Sequence, residues 1–423
     1  MVTDHAADQA APPVAQQQVA TDDEPRYGWV VVGASFTALA LIFGVSYSFA
    51  AFFESFAGEF GASRAEVSLV FGLSGLLYFV LGAFGGMLAD RHGPRLVTGA
   101  GMLCIAAALA AGSQAATMTQ VVLAYGVLLG VGIALVYTPS IGCVQPWFTR
   151  RRGLAAGIAS AGIGAGTLAV PLLAAAAIAA WQWRGAMLAL AAGVLVLGLA
   201  AAALHRRAPA ATRGAGGQVG SVPGVPLGAA LASARFRWLY AMCALGSPAM
   251  FVPFAHLSAS ARDLGVAEAQ AVGLVGLIGV GSLVGRFVLG SLADRLGRGR
   301  TLVAVMASLG LSMALWAAAG RGGGAYAALA VFALWMGLSY GGAVSLMPAL
   351  CMDFFGARAV SSIIGTLYTA AALGNLAGPW VAGRVFDAQG SYTPVVLGCG
   401  ALALLSAVAA WRAVQAPPAP RAS

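Results

Sequence analysis

The chain has 423 residues, of which 60% are hydrophobic and only 9% are charged. Ordinary soluble domains carry about 25% charged residues, so composition excludes a soluble protein of this size and predicts a lipid surrounding. The net charge of +9 comes entirely from Arg, since Lys is absent, and loop charges that orient a membrane protein explain it better than nucleic-acid binding does.

Twelve apolar stretches along the chain are long enough to cross a hydrocarbon core of about 30 Å, which takes about 20 helical residues. The first six are 28–52, 66–89, 95–116, 119–143, 153–178 and 184–205. The second six are 236–260, 268–293, 300–320, 325–350, 359–385 and 392–413. The sequence therefore predicts an all-α polytopic membrane protein with twelve transmembrane helices.

Polar segments divide these helices into two sets of six. Residues 1–25 are polar without the pattern of a signal peptide and predict a disordered cytoplasmic tail. A bundle at 26–205 and a second at 236–414 flank a cytoplasmic Gly- and Pro-rich loop at 206–235, which has room for a short surface helix. Residues 415–423 form a second cytoplasmic tail.

A charged turn recurs after the second helix of each half. Residues 86–97 read GMLADRHGPRLV and residues 290–303 read GSLADRLGRGRTLV, an internal repeat of about half the chain. An Asp at such a turn can cap the next helix or pair with a neighbouring Arg. The alternative is an ordinary orientation-setting turn. We predict a conformational latch formed by Asp90, Arg91, Arg95, Asp294, Arg295 and Arg298.

The Arg distribution predicts the orientation in the membrane. Placing both termini in the cytoplasm assigns 17 Arg to cytoplasmic segments. The outer loops then hold only Arg64, Arg184, Arg262, Arg321 and Arg384. Since cytoplasmic loops carry the excess of Arg, the chain is expected to be a multi-pass protein of the cytoplasmic (inner) membrane with both ends inside.

Arg286 is the remaining Arg, and it lies within the apolar, Gly-rich run 276–290. A charge inside the membrane costs at least ~2.5 kcal/mol, so the side chain should face a wet cavity or a partner. No carboxylate lies within one turn of it, and its neighbour four residues earlier is Ser282, whose hydroxyl is a candidate to assist in substrate binding. An unpaired guanidinium suits a substrate carboxylate. Snorkelling to the membrane face is the alternative.

Further candidates for the substrate site are polar side chains inside apolar stretches. The Tyr137 hydroxyl can complete a carboxylate site, although packing between helices also explains a Tyr. His256 suits binding of a proton or substrate, although it also fits an interfacial position. The remaining candidates are Tyr47, Tyr368 and Asn375.

The repeated turns GMLADRHGPR and GSLADRLGRGR resemble the loop signature of the major facilitator superfamily, and the likeness extends over about residues 26–413. This resemblance implies the major facilitator fold, in which two pseudo-symmetric six-helix bundles surround a central cavity. It also implies that substrate is held midway and that the halves rock to give alternating access.

Finer motifs resemble the monocarboxylate transporter branch, including bacterial relatives and the oxalate–formate antiporters. They are Tyr27-Gly28-Trp29, the segment 147–157 reading WFTRRRGLAAG, and Gly285-Arg286. In the branch, the Arg that corresponds to Arg286 binds the substrate carboxylate.

The sequence differs from the branch at positions that bear on which ion is co-transported and on the charge of the substrate. Animal members carry a Lys in the first helix and an acidic residue one turn before the eighth-helix Arg, whereas this chain has no Lys and has Ser282 there. This chain therefore lacks the pair that would couple protons, and H⁺ and a counter-transported anion are the two alternatives for the coupled species. The antiporters' second basic residue is absent from 368–372, which favours a monoanion.

We therefore expect a secondary carrier for a small organic monocarboxylate, in contact with the lipid bilayer and with no nucleic-acid partner. Export of a neutral or drug-like compound, or a transporter-like sensor, are the alternatives. No GxxxxGK[ST] loop, nucleophile constellation or CxxC spacing occurs in the sequence. We expect no enzyme activity, no cofactor and no metal.

Overall fold

The computed structural model describes residues 26–148, 151–208, 224–320, 324–356 and 358–417. The predicted N-terminal tail lies outside these residues. So do the end of the C-terminal tail and the middle of the loop between the halves.

The first half of the chain forms six long helices. Helices α1 to α4 span Arg26–Phe60, Arg64–His92, Pro94–Ser113 and Met118–Trp147. Helices α5 (152–181) and α6 (183–204) are two arms of one run that bends at Gln182, where φ is 59° and ψ is 172°. Helix α1 is interrupted at Ser48 and extends to Phe60, eight residues beyond its predicted end.

The second half repeats this pattern. Helices α7 to α12 span Ala234–Asp263, Glu268–Leu296, Arg298–Ala318, Ala325–Phe355, Val360–Gln389 and Thr393–Gln415. A short helix, Leu227–Ala232, precedes them in the loop between the halves. The Val225 amide donates to the Phe355 carbonyl at 2.8 Å, which fixes this loop against the end of α10.

Within the described residues, ten segments are long and apolar enough to cross a membrane. One of them holds both α5 and α6, and α11 is a further long helix. The predicted polytopic fold of twelve helices is thereby confirmed.

Both repeated turns end a helix in the same way. Gly93 follows α2 with φ of 94° and Gly297 follows α8 with φ of 91°. Their amides donate to the Ala89 and Ala293 carbonyls at 2.8 and 2.9 Å. Only Gly adopts such φ values without strain, which explains the Gly at matching places in the two turns.

The two halves meet along two pairs of helices, α2 with α11 and α5 with α8. Small residues allow the close approach. A Cβ added to Gly279 of α8 would lie 2.8 Å from the Gly164 carbonyl oxygen of α5. Close backbone packing of this kind is the usual means of association for helices in lipid.

Candidate functional site: a central cavity and the joint beside it

A cavity lies between the two halves, with an empty volume of about 750 Å³ that includes space open to solvent. Aromatic and apolar side chains from both halves form most of its wall, and Arg286 is the one charged residue among the described residues that line it. The lining residues are Phe43, Tyr78, Phe79, Tyr137, Ile163, Met242, Cys243, Ser247, Met250, Phe251, Arg286, Met306, Tyr340, Ala343, Val344, Met347, Tyr368 and Ala371.

Arg286 reaches this cavity from α8 and is only 9% exposed. Its Nε and Nη2 atoms are buried and find no hydrogen-bond partner among the described residues. Leaving charged donors unsatisfied in a buried place is costly. The guanidinium is therefore prepared to receive an acceptor that enters the cavity, and a carboxylate matches its planar fork.

Two of the predicted tyrosines line the same cavity. Tyr137 comes from α4 in the first half and Tyr368 from α11 in the second. Tyr78 of α2, which the sequence did not single out, joins them. The three phenols make no hydrogen bond to another described residue, so each can bind a polar group inside the cavity.

Ser282 lies one turn before Arg286 on α8 and is 2% exposed. Its hydroxyl has no hydrogen-bond partner among the described residues. Ser282 is not among the residues that line the cavity. Helix α8 packs closely against α10 here, since a Cβ on Gly341 would collide with the Ser282 carbonyl oxygen. Its direct contact with substrate stays a prediction.

Tyr47 closes one side of the cavity instead of lining it. Its hydroxyl lies 3.1 Å from the hydroxyl of Tyr340, a cavity residue of the second half. Its ring stacks on Phe254 of α7 with the centroids 3.9 Å apart. Tyr47 therefore joins α1 to α7 and α10, and its role as a substrate ligand stays a prediction.

Asn375 is used in packing between the halves. It is buried on α11, and its Nδ2 donates to the Gly72 carbonyl of α2 at 3.2 Å. Helix α2 has Gly75 beside this side chain, where a Cβ would collide with the Asn375 amide. Its substrate role also stays a prediction.

Charged side chains join the two halves at one end of the molecule, past Tyr47. We call this end the Arg64 face and define it by Arg64, Asp263, Asp387 and Tyr392. Arg64 begins α2, and its two terminal nitrogens donate to the Asp263 carboxylate of α7 at 2.7 and 2.8 Å. Asp387 of α11 accepts from the Arg64 and Ala65 amides at 3.1 Å. A bidentate pair and a carboxylate at a helix N-terminus are both strong contacts.

His256 belongs to this network. Its Nε2 lies 2.8 Å from the Pro379 carbonyl, which can only accept, so Nε2 carries the proton and Nδ1 accepts from the Tyr392 hydroxyl at 2.9 Å. Arg64 in turn donates to the Tyr392 oxygen at 2.7 Å. Burial raises the pKa of the Tyr392 phenol, although the Arg64 cation opposes this, so the phenol remains a donor. His256 is thus placed in the joint, and its substrate role stays a prediction.

A second ion pair crosses the Arg64 face with the opposite polarity. Glu54 of α1 lies 3.4 Å from Arg262 of α7 and 3.8 Å from Arg64. Arg262 also lies 3.6 Å from Glu268. The glutamates in these longer contacts are more exposed than Asp263. The contacts therefore contribute less to holding the halves together than the Arg64–Asp263 pair does.

The opposite end of the molecule, called here the Asp90 face, carries the two repeated turns. Arg207 donates to the Ala89 and Asp90 carbonyls of its own half. Arg298 donates to Asp353 of its own half at 2.9 Å. Asp90, Arg91, Arg95 and Arg295 are exposed, and the Asp294 side chain lies outside what the structure describes. The predicted latch function stays a prediction.

Comparison with known proteins agrees with this architecture. The profile of the Major Facilitator Superfamily matches residues 34–379 and, in a second match, 247–423. A solved structure of a bacterial homolog to the human lysosomal transporter Spinster, in an inward-facing and unoccupied conformation, superposes with a TM-score of 0.69 at 14% identity. That match covers 93% of this chain and 96% of the other, and it shows a shared fold.

Curated relatives narrow the family. Monocarboxylate transporter 13 of Bos taurus is 30% identical over 380 residues, covering 89% of this chain and 87% of that protein. Monocarboxylate transporter 3 of Rattus norvegicus is 31% identical over 397 residues, covering 90% and 79%. The chain belongs to the major facilitator superfamily and, within it, to the monocarboxylate transporter branch. It is a multi-pass membrane transporter and not an enzyme.

Proposed function

We propose that the chain is a secondary carrier that moves a small organic monocarboxylate across the cytoplasmic membrane by alternating access. The observation that carries this proposal is Arg286, a buried guanidinium with two unsatisfied nitrogens at a cavity between the halves. The relatives named monocarboxylate transporter support the same substrate class.

In this proposal the Arg286 guanidinium binds the carboxylate through two parallel hydrogen bonds. The phenols of Tyr137 and Tyr368 approach the same carboxylate from opposite halves. A single buried cation neutralises one carboxylate, whereas a second would stay unpaired in an apolar cavity. Ser282, one turn from Arg286, is proposed to assist in binding the carboxylate, while Tyr47 and the joint at His256 separate the site from the Arg64 face.

We infer that the Arg64 face is outer and the Asp90 face cytoplasmic, because the predicted excess of Arg lies at the latter. Four of the Arg used in that count lie outside the described residues, namely Arg150, Arg213, Arg321 and Arg421. The structure then represents a carrier whose halves are joined on the outside. The repeated turns with Asp90 and Asp294 are proposed to hold the cytoplasmic ends together in the other state.

The coupled species in this proposal is H⁺ or an exchanged anion. Ser282 stands where a carboxylate would provide the proton site of the animal transporters, and the lining residues within the described chain include no carboxylate. An imposed pH gradient, compared with a trans-loaded carboxylate, distinguishes symport from exchange.

The test is uptake of labelled carboxylates into proteoliposomes that contain Arg286→Ala, Arg286→Lys or wild-type protein. Removing one partner of a buried charge pair costs enough to lower uptake about a hundredfold, and Lys should restore only part because it lacks the fork. Arg412→Ala, an exposed Arg at the end of α12, is the matched control. Unchanged uptake by Arg286→Ala would show that Arg286 does not bind the substrate carboxylate.

Export of a neutral or drug-like compound is the second candidate, and the apolar cavity wall is the observation that favours it. Uncharged amides of the transported acids discriminate between the two functions. A carrier that recognises the carboxylate will reject the amides, whereas a carrier for neutral compounds will move them and will tolerate Arg286→Ala.

A further inference from the structure

The wall of the cavity is far more apolar than a small polar acid requires. Four methionines line it, namely Met242 and Met250 from α7, Met306 from α9 and Met347 from α10. Phe79 and Phe251 face each other across the two halves with ring centroids 5.9 Å apart. Methionine and aromatic side chains pack favourably against one another and against flat apolar ligands.

Most polar groups of the second-half wall are already satisfied. The Ser247 hydroxyl donates to the Cys243 carbonyl of its own helix, and the Tyr340 hydroxyl is paired with Tyr47. Besides the phenols described above, the guanidinium of Arg286 is therefore the strong polar anchor of the cavity. A ligand therefore needs one anionic group, and apart from the phenols it meets mainly carbon and sulfur atoms.

Helical spacing aligns the lining residues of α10 and of α7. On α10, Tyr340, Val344 and Met347 follow one another at intervals of three and four residues, and all three line the cavity. On α7, Cys243, Ser247 and Met250 do the same. Residues at these intervals lie on one face of a helix, so each helix presents one stripe of lining residues to the cavity. Each of these two stripes, called here the methionine stripes, ends at a methionine, Met347 or Met250.

We propose that the substrate is a monocarboxylate with an aromatic or similarly bulky apolar body. This inference rests on the proposed function, since it takes Arg286 as the carboxylate anchor. A short acid reaches Arg286 but leaves the methionine stripes against water. An aromatic body covers those stripes, and the gain grows with the apolar area removed from water.

The experiment measures counterflow in proteoliposomes with three matched solutes: acetate, phenylacetate and the neutral phenylacetamide. Phenylacetate is expected to half-saturate transport at a concentration at least about tenfold lower than acetate, because one added apolar group in a fitted pocket changes recognition by about that factor or more. Phenylacetamide is expected to show no counterflow above that of liposomes without protein.

Variants of the wall test the same idea by position. Met347→Ser and Met250→Ser each place a hydroxyl in a stripe, and each should raise the KM for phenylacetate about tenfold while that for acetate changes less than twofold. Met87→Ser, at a methionine of α2 that is 59% exposed and lies outside the cavity, is the control and should change neither. Two wall variants are used so that a folding failure of one leaves the other decisive.

The outcomes separate the two levels of the proposal. The proposal of a bulky apolar substrate is overturned if acetate is transported as well as phenylacetate, or if the wall variants leave the KM for phenylacetate unchanged. In either case the proposal that Arg286 binds a carboxylate stands. Transport of phenylacetamide that survives Arg286→Ala overturns the proposed function itself.

Discussion

The Arg64 face and the Asp90 face close the same pair of bundles by different means. At the Arg64 face, Arg64 of the first half is bound by Asp263 and Asp387 of the second. At the Asp90 face, the contacts described for Arg207 and Arg298 join helices of one half. The duplicated motif and the joint between the halves therefore lie at opposite ends of the molecule. Duplication supplied similar turns to both halves, whereas the joint required different residues from each.

The joint is asymmetric in charge, and this asymmetry fixes its register. The first half contributes Arg64 beside Glu54, and the second half contributes Asp263 beside Arg262. The Arg64 cation also lies over the Phe386 ring of α11, 3.8 Å from its centroid. A shift of one half along the other would bring like charges together, which is unfavourable.

The largest expected effect comes from Arg64→Ala, which removes the charged centre of the joint. Losing a bidentate charge-assisted pair of about 2 kcal/mol should shift the balance between the two states of the carrier about thirtyfold toward opening of the Arg64 face. Spin labels at Ala116→Cys and Gln389→Cys, exposed positions at this face on the two halves, report the change as a longer and broader distance distribution.

Arg184→Ala is the matched control for that experiment. Arg184 pairs with Glu59 at 2.7 Å at the same face, but both residues belong to the first half. Its loss should leave the distance between the halves unchanged. Equal distance changes in the two variants would show that general weakening of the face, and not the cross-half pair, controls opening.

A smaller effect is expected from Asp90→Asn at the opposite face. Asp90 is exposed in the present state, so its neutralisation should leave thermal stability nearly unchanged. If the repeated turns act as the latch of the other state, exchange should slow about tenfold, since a latch contact of about 1.4 kcal/mol changes a population tenfold. The exposed Glu268→Gln at the Arg64 face is the control, and equal slowing there would remove the latch assignment.

The sequence predicted the twelve helices well because lipid imposes a simple requirement, about 20 apolar residues for each crossing. It also singled out Arg286 and Tyr137, both of which line the cavity, because a charge inside an apolar run needs a cavity or a partner. Their binding of substrate stays a prediction. The predicted ends of helices were wrong where an apolar stretch is longer than a membrane crossing requires. Helix α1, for example, extends to Phe60.

The joint at the Arg64 face was not predicted. Arg64 counted only as an outer-loop charge, and its partners Asp263 and Asp387 lie 199 and 323 residues away along the chain. No local spacing links such residues. The available signal was that helices of both halves end at this face with charges of opposite sign. For the same reason the sequence did not predict the contacts of His256 with Ser68 of α2, Pro379 of α11 and Tyr392 before α12. Its substrate role stays a prediction.

The smallest expected effect is a loss of stability in acid, and it depends on a buried histidine at the Asp90 face. His205 follows α6, with Nδ1 at 2.9 Å from the Ala201 carbonyl and Nε2 at 3.2 Å from the Ser35 hydroxyl. Burial lowers the pKa of His205, and the Ala201 carbonyl opposes this only in part. Below about pH 6.5, the ordinary pKa of His, the unfolded chain therefore takes up a proton that the folded chain resists.

The stability contributed by neutral His205 is accordingly complete above about pH 6.5 and is lost as the pH falls through the lowered pKa of the folded state. We expect the Tm in detergent to fall on acidification in wild-type protein and to fall less in His205→Gln, which keeps a neutral polar side chain. Since Ser35, Ala201 and His205 all belong to the first half, the spin-label distance at the Arg64 face should not change with this step. A distance change that follows the His205 titration would mean that the two faces are coupled through the first half, and not independent as their separate contacts imply.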